Sequence, residues 1–414
     1  MLPAAKMEET SMLLSLALVF LCGGMLGKMF EALKLPRLLG MLATGVILGP
    51  QLLDLLDPKI LDISTDLRQL ALIIILARAG LSLNLDDLRK VGRPAILMCF
   101  VPAVLEILAM LAFAPMLLGV SLLDAAVMGT VVAAVSPAVI VPRMLRLMEK
   151  GYGVKKRIPQ MILAGASVDD VFVIVLFTAF AGLAQGGDLS PVQFLSVPSS
   201  IALGLAGGAA AGLVLARFFK AVHIRDSAKV IIILSVAFLF VSLEHAVSGP
   251  IGFSGLLAVM AAGGALRHRL HIVATRLSAK LSKLWVAAEL ILFVLVGAAV
   301  DVGYAARAGL AAVLLILIVL AFRLAGVFLS LLGTDLDRGE RVFTGLAYLP
   351  KATVQAAIGG LPLAMGLASG NVILTVAVLS IIITAPLGAS LIDTFYRKLL
   401  TKEALPPAEP AGQG

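Results

Sequence analysis

Cysteine is nearly absent from the chain: two in 414 residues, Cys22 and Cys99, both in apolar runs. That excludes a disulfide framework and a metal knuckle. Charge is scarce as well, at 14% of residues, where soluble proteins carry about 25%. Aromatic residues make up 6%, with Trp285 the single tryptophan, so no cluster suggests an aromatic pocket for an organic substrate. His223, His245, His268 and His271 lie at loops or segment ends without metal-site company. No GxxxxGK[ST] phosphate loop occurs, which argues against ATP-driven pumping within this chain. Hydrolase and metalloenzyme chemistry has no residues to stand on, and neither an enzyme nor a resident cofactor is expected.

What is present is apolar sequence. Hydrophobic residues reach 60% and mean hydropathy is +1.07, more than the core of a soluble protein can absorb. A polytopic all-α membrane protein embedded in a lipid bilayer follows. Thirteen apolar segments are read, at 12–30, 38–53, 67–83, 94–118, 122–142, 158–184, 192–216, 229–247, 251–266, 284–300, 308–332, 343–367 and 371–394. The second and ninth are short. Residues 1–402 form one transmembrane unit, and the Pro/Ala-rich stretch 403–414 reads as a disordered tail.

Charge tests the count. With thirteen spans, one side holds Lys6, Lys59, Arg68 and Arg307, while Arg78, Arg323 and Lys351 fall inside apolar segments. The rest of the 33 Lys and Arg lie on the other side. That bias is a strong positive-inside signal, with the N terminus outside and the C terminus inside. The net charge of +8 is thereby loop bias and not a nucleic-acid footprint. The first segment lacks a basic leading region, since Lys6 is accompanied by Glu8 and Glu9, and it is read as retained.

An offset of seven spans inverts topology, so segments 1–6 map onto 8–13 as two inverted six-helix repeats, with the seventh as connector. Marked residues obey the offset. Segment 5 carries Ser136-Pro137 and Pro142, and segment 12 carries Pro350-Lys351 and Pro362. Segments 4 and 11 carry Glu106 and Arg323. Each proline removes a helical donor and pushes the residue before it out of helical geometry. Broken helices at membrane depth free carbonyls and helix ends to meet an ion.

Charges at this depth are costly and default to function. At about 1.5 Å per residue, Asp170 lies ~18 Å into segment 6, and Glu106 and Arg323 lie at similar depth. Asp169 and Asp170 point about 100° apart on a helix. The competing bland reading is a set of buried ion pairs that orient helices. Lys351 stands ready to neutralise one end of a broken helix or one aspartate. Glu106, Asp169, Asp170, Arg323 and Lys351 sum to minus one, which suits one monovalent cation or one or two protons. Arg78 sits close enough to a segment end to snorkel, and Glu289, Asp301 and Asp393 read as gate or packing residues. The Gly23/Gly27 and Gly204/Gly208/Gly212 steps permit close helix approach.

These motifs resemble the monovalent cation/proton antiporter superfamily, paired-aspartate type. PRLLGMLATGVILGP (36–50), ARAGL (77–81), SPAVIVP (136–142) and the Asp169-Asp170 pair carry the likeness. KGYGVKKRIPQMILAGASVDD (150–170) and LPKATVQAAIG (349–359) look most like bacterial relatives of the animal mitochondrial-type sodium/hydrogen exchangers. The likeness runs from about residue 12 to 395. It implies an inner- or plasma-membrane homodimer with a dimerisation domain (segments 1–3 and 8–10) and a mobile core (segments 4–6 and 11–13). It also implies exchange of Na⁺ or Li⁺ for H⁺ by an elevator motion. The cation and proton roles carry to Asp170 and Asp169, with Ser136 and the backbone of Val135 and Ala166 beside them. Lys351, Arg323 and Glu106 are then the charge-compensating residues. One position departs from the pattern: Arg323 stands where many paired-aspartate members have lysine, and a guanidinium does not surrender its proton. The two-protons-per-sodium stoichiometry is therefore not assumed. A sodium-coupled symporter of an organic anion is the competing reading, followed by a passive cation channel and, last, a scaffold.

Overall fold

The computed structural model describes residues 11–82, 92–185, 191–247 and 252–403. Lys6, Glu8 and Glu9, and all of the tail beyond Glu403, lie outside them. Regular structure among these residues is helical apart from one antiparallel bridge, Tyr152 to Lys402. In chain order the helices are α1 (Met12–Ala32), α2 (Arg37–Leu48), α3 (Pro58–Asp62), α4 (Ser64–Ser82), α5 (Arg93–Met98) and α6 (Val101–Leu118). Next come α7 (Leu122–Ala133), α8 (Pro137–Glu149), α9 (Ile158–Gln185), α10 (Pro191–Ala221), α11 (Asp226–Ala246) and α12 (Gly255–Arg269). Then follow α13 (His271–Ala298), α14 (Val302–Ser330), α15 (Arg338–Ala347), α16 (Thr353–Ile358), α17 (Leu361–Ala364) and α18 (Gly370–Leu399).

Among the described residues, 9 helices or successive helix pairs are long and apolar enough to cross a bilayer. The other four apolar segments hold α2, α4, α12 and the interrupted α15–α16 run, which are shorter or more polar. Side-chain caps set several ends. The Ser11 hydroxyl accepts from the Leu14 amide at 3.2 Å and the Ser121 hydroxyl from the Asp124 amide at 3.0 Å. Asp337 and Glu340 close a capping box on α15, satisfying amides that helix starts leave free.

The helices pack in two groups. α1, α2, α4 and α10–α13 pack against one another, and α5–α9 with α14–α18 form the second set. Glycine makes the first group tight. Backbone carbonyls of Ser254, Ala258 and Ala262 on the α12 side lie where side chains at Gly204, Gly208 and Gly212 would project. Gly23 meets Val294 and Leu290 of α13, and Gly27 meets the Arg37 carbonyl. Both small-residue steps are therefore used inside one chain.

At one end of the second group the chain after α18 is tied to the loop between α8 and α9. The Gly153 amide donates to the Thr401 carbonyl at 3.0 Å and the Glu403 amide to the Gly151 carbonyl at 2.8 Å. Glu403, assigned to the tail from composition, is thus held by backbone pairing. The Lys156 ammonium donates to the Glu340 carboxylate at 2.7 Å, and this hydrogen bond raises the lysine above its ordinary range.

The glycine packing predicts a contrast. Gly208→Val drives a side chain into the Ala258 backbone, and overpacking of this kind costs about 1–3 kcal/mol. Its melting temperature in detergent should fall, whereas Gly24→Val, which meets nothing within 4 Å, should leave it unchanged. Equal melting of the two variants would contradict the packing account.

Candidate functional site

Both prolines break their helices. α7 ends at Ala133, Ser136 is extended at φ −91° and ψ 109°, and α8 starts at Pro137. The other run ends at Ala347 and resumes at Thr353, across Tyr348, Leu349, Pro350, Lys351 and Ala352. The two interruptions touch: the Ser136 amide donates to the Pro350 carbonyl at 2.8 Å. The two non-helical stretches thus meet in a crossing inside the second helix group, where unsatisfied backbone groups are expensive.

The freed carbonyls are met by side chains. Arg323 of α14 donates from Nε to the Tyr348 carbonyl at 2.7 Å and from Nη1 to the Ala133 carbonyl. Lys351 Nζ also reaches the Ala133 carbonyl, at 3.3 Å. Gln355 Nε2 donates to the carbonyls of Val132 at 3.0 Å and Ala134 at 2.8 Å. Thr384 of α18 holds the Lys351 amide at 2.8 Å. Positive and amide side chains therefore close the C-terminal end of α7, where the helix dipole is negative.

Around this crossing the structure gathers most residues singled out from sequence. Glu106, Asp169, Arg323, Ser136 and Lys351 are each 0% exposed. Arg323 forms two ion pairs, Nη1 to Glu106 Oε2 at 2.8 Å and Nη2 to Asp169 Oδ2 at 3.0 Å. Lys351 Nζ pairs with the same Glu106 oxygen at 2.6 Å. Of the alternatives for Lys351, the structure takes the helix end together with Glu106, not an aspartate. Arg323 bridges Glu106 to Asp169.

The backbone assignments fall out differently. Val135 contributes its N–H, which donates to Asp169 Oδ2 at 2.8 Å. Ala166 lies within α9, which is unbroken there, so its carbonyl belongs to the helical ladder toward Asp170.

The two aspartates are unequal. Asp169 is fixed by a guanidinium and an amide through one oxygen. Asp170, one residue on and 9% exposed, forms no ion pair within 4 Å among the described residues. Six buried oxygens here have no hydrogen-bond partner among the described residues: Glu106 Oε1, Ser136 Oγ, Asp169 Oδ1, Asp170 Oδ1, Thr353 Oγ1 and Gln355 Oε1. Buried polar atoms are paired as a rule, so such a cluster of acceptors and hydroxyls is unusual. With Glu106 and Asp169 matched by Arg323 and Lys351, Asp170 is the carboxylate left without an opposite charge in the formal sum of minus one.

A polar cavity of about 710 Å³ opens between the two helix groups. Its walls include Lys34 and Arg37 at the α1–α2 corner, Glu289 of α13, and Arg143 and Asp393 across from them. It reaches Ala138 and Val139, directly after the Ser136-Pro137 break. Asp393 is engaged by Arg143 at 3.1 Å and Arg146 at 3.6 Å. Farther along the same seam is an apolar cavity of about 330 Å³ between α2 and α18, lined by Leu39, Leu42, Val378 and Ile382.

Sequence reasoning missed Gln355, Thr353, Tyr348 and Thr384. Gln355 was readable, as an uncharged polar residue four after Lys351 in an apolar run. The Tyr348 carbonyl and Thr384 act through geometry that no local pattern encodes.

Removing Arg323 strands the buried Asp169, while Glu106 keeps Lys351, and breaking a buried pair costs about 3–5 kcal/mol. Arg323→Met should therefore lower the melting temperature sharply, and adding Asp169→Asn, which removes the stranded charge, should recover part of the loss. A double variant no more stable than the single one would contradict the assigned pairing.

Comparison with known proteins bears on the family and the fold. The family model described as sodium/hydrogen exchanger, transmembrane, matches residues 14–398. Sodium/hydrogen exchanger 9B2 of Homo sapiens is 32% identical over 419 residues, covering 94% of this chain and 75% of that protein. The 9B2 exchanger of Xenopus tropicalis is 33% identical over 397 residues, covering 91% and 72%. Human sodium/hydrogen exchanger 9B1 is 32% identical over 358 residues, covering 82% and 67%. The sodium proton antiporter MjNhaP1 of Methanocaldococcus jannaschii, at pH 8, superposes with a TM-score of 0.79 at 20% identity, over 93% of this chain and 97% of that one. That likeness establishes the fold. The chain belongs to the sodium/hydrogen exchanger family, multi-pass membrane transporters and not enzymes.

Proposed function

We propose that this protein is a secondary active antiporter that exchanges Na⁺ or Li⁺ for H⁺ at Asp170, with Asp169 as its fixed neighbour. The observation that carries the reading is the charge balance at the crossing. Two carboxylates are matched by Arg323 and Lys351, and a third buried carboxylate has no ion-pair partner. One unmatched negative charge in a dry site takes either a proton or a monovalent cation, and the two then compete. The free oxygens of Asp170, Asp169, Ser136 and Thr353 are the hard donors that would surround the cation.

Arg323 does not take part in the proton cycle, because its guanidinium stays charged and is engaged on every side. We therefore infer that one cation is exchanged for one proton. The cavity at the seam supplies access from one side, which loop charge assigns to the cytoplasm. Alternating access would follow from the group α5–α9 and α14–α18 sliding as an elevator against α1–α4 and α10–α13. The apolar walls of the seam beside α2 and α18 suit such a motion, since no ion pair lies there among the described residues.

The same reading includes thirteen spans, with the N terminus outside and the C terminus inside, and two inverted repeats whose fifth and twelfth spans are the crossed pair. It also includes a homodimer in the cell membrane. The sodium-coupled symporter of an organic anion gains no support from the site, whose free groups are small oxygen donors.

The test is made in proteoliposomes with an imposed pH gradient. Na⁺ or Li⁺ should dissipate the gradient for the wild type and not for Asp170→Asn, which should remain folded. Clamping the membrane potential with potassium and valinomycin should leave the wild-type rate unchanged. Full exchange by Asp170→Asn would overturn the assignment, and a rate that follows the potential would overturn the one-for-one ratio.

A further inference from the structure

The charge balance at the crossing gives Gln355 no part in the exchange, yet this side chain is 1% exposed and sits in the first turn of α16, directly after the second break. Its Nε2 carries two protons. Both are committed, to the carbonyls of Val132 at 3.0 Å and Ala134 at 2.8 Å. That commitment fixes the orientation of the amide, because a flipped amide would set its oxygen against two carbonyl oxygens. The amide oxygen therefore faces away from them, and it has no hydrogen-bond partner among the described residues.

The Ala134 carbonyl belongs to the same peptide unit as the Val135 N–H, which donates to Asp169 Oδ2 at 2.8 Å. A trans peptide unit is planar and turns as one body, with its C=O and N–H pointing in opposite directions. Holding the carbonyl on one side thus aims the N–H on the other. Two hydrogen bonds therefore run in series from Gln355 Nε2, through the Ala134–Val135 peptide, to Asp169. Hydrogen bonds linked in this way polarise one another. Ala134 stands after the end of α7 at φ −67° and ψ 140°, and α8 begins at Pro137. The peptide belongs to neither helix, so Gln355 supplies the grip that a helical ladder does not.

We propose that Gln355 is a positioning residue for the transport site: through the Ala134–Val135 peptide it keeps a hydrogen-bond donor on Asp169, so that Asp169 stays ionised while Asp170 exchanges its proton for a cation. The inference rests on Asp170 as the site of exchange. The charged and titratable groups facing Asp169 are Arg323 of α14, at 3.0 Å, and Lys351 in the second break, with Asp170 beside it on α9. Cys99, after α5, and Tyr348, at the start of the second break, complete the set, and Glu106 stands behind Arg323. Among these partners the Val135 amide is the neutral donor, and Gln355 is what orients it. Without Gln355 the peptide is free to turn and the ionised Asp169 loses a donor. Protons then compete more strongly with Na⁺ at the paired acids, which titrate together.

Gln355→Met keeps an unbranched side chain of similar length and removes both donors. In proteoliposomes near neutral pH it should raise the KM for Na⁺ roughly three- to tenfold, the equivalent of about one hydrogen bond, with kcat unchanged. The ratio of variant to wild-type KM should fall toward one as the pH is raised, because protons then cease to compete. Where Gln355→Met does not fold, Gln355→Asn, whose amide is one carbon too short to span the two carbonyls, carries the same comparison. A KM equal to the wild-type value at every pH would overturn the role. So would a KM raised by the same factor at every pH, which is what a plain cap on α7 or a direct cation ligand produces. Asp170→Asn run alongside separates the two claims. If it is inactive while the Gln355 variant keeps the wild-type dependence of KM on pH, only this inference fails; if it is active, the transport site itself is wrong.

Discussion

A single guanidinium makes the interior of the second helix group tenable. Arg323 touches Glu106, Asp169, the end of α7 at Ala133 and the Tyr348 carbonyl in the opposite break. Each of these groups is costly to bury alone, and the planar fork of donors satisfies them together. A lysine at this position has one ammonium to distribute over the same partners. The broken helices, the buried acids and the crossing are in this sense one arrangement, and Arg323 is the part that none of the others can replace.

From that constraint follows the inequality of the two aspartates. Adjacent residues on a helix face different surroundings, and here one faces the guanidinium and the Val135 amide while the other does not. The first is committed to an ion pair and a backbone amide, and the second is not. The same division runs through the whole molecule. The group containing α13 is packed through glycine against backbone, as at Gly45 and Gly297, where α2 and α13 meet without intervening side chains. The other group carries the breaks and the charges. Between them lies a seam that is polar at one end and apolar farther in.

Much of this is legible in the amino-acid sequence, and for physical reasons. Charges inside apolar runs stand out because they are costly at that depth, so Glu106, Asp169, Asp170, Arg323 and Lys351 are identifiable from sequence alone. Prolines mark the breaks, and the extended Ser136 follows directly from Pro137. What composition and spacing do not carry is partner choice. Lys351 has a helix end and an aspartate open to it, and it joins the helix end to Glu106 because three-dimensional packing places them together. Thr384 escapes notice for the same reason, whereas Gln355 stands out as a polar residue in an apolar run and only its carbonyl partners do not. Span counting by apolar length is limited as well, since α2 and α12 are short helices whose role depends on their neighbours.

The central claim is that one carboxylate, Asp170, carries all of the exchangeable charge while Asp169 is permanently paired. Proton release on adding Na⁺ to purified protein in weak buffer measures this directly, without a membrane or a gradient. The account predicts one proton released per Na⁺ bound, and none from Asp170→Asn. Release of two protons per Na⁺, or release that persists in Asp170→Asn, would contradict it.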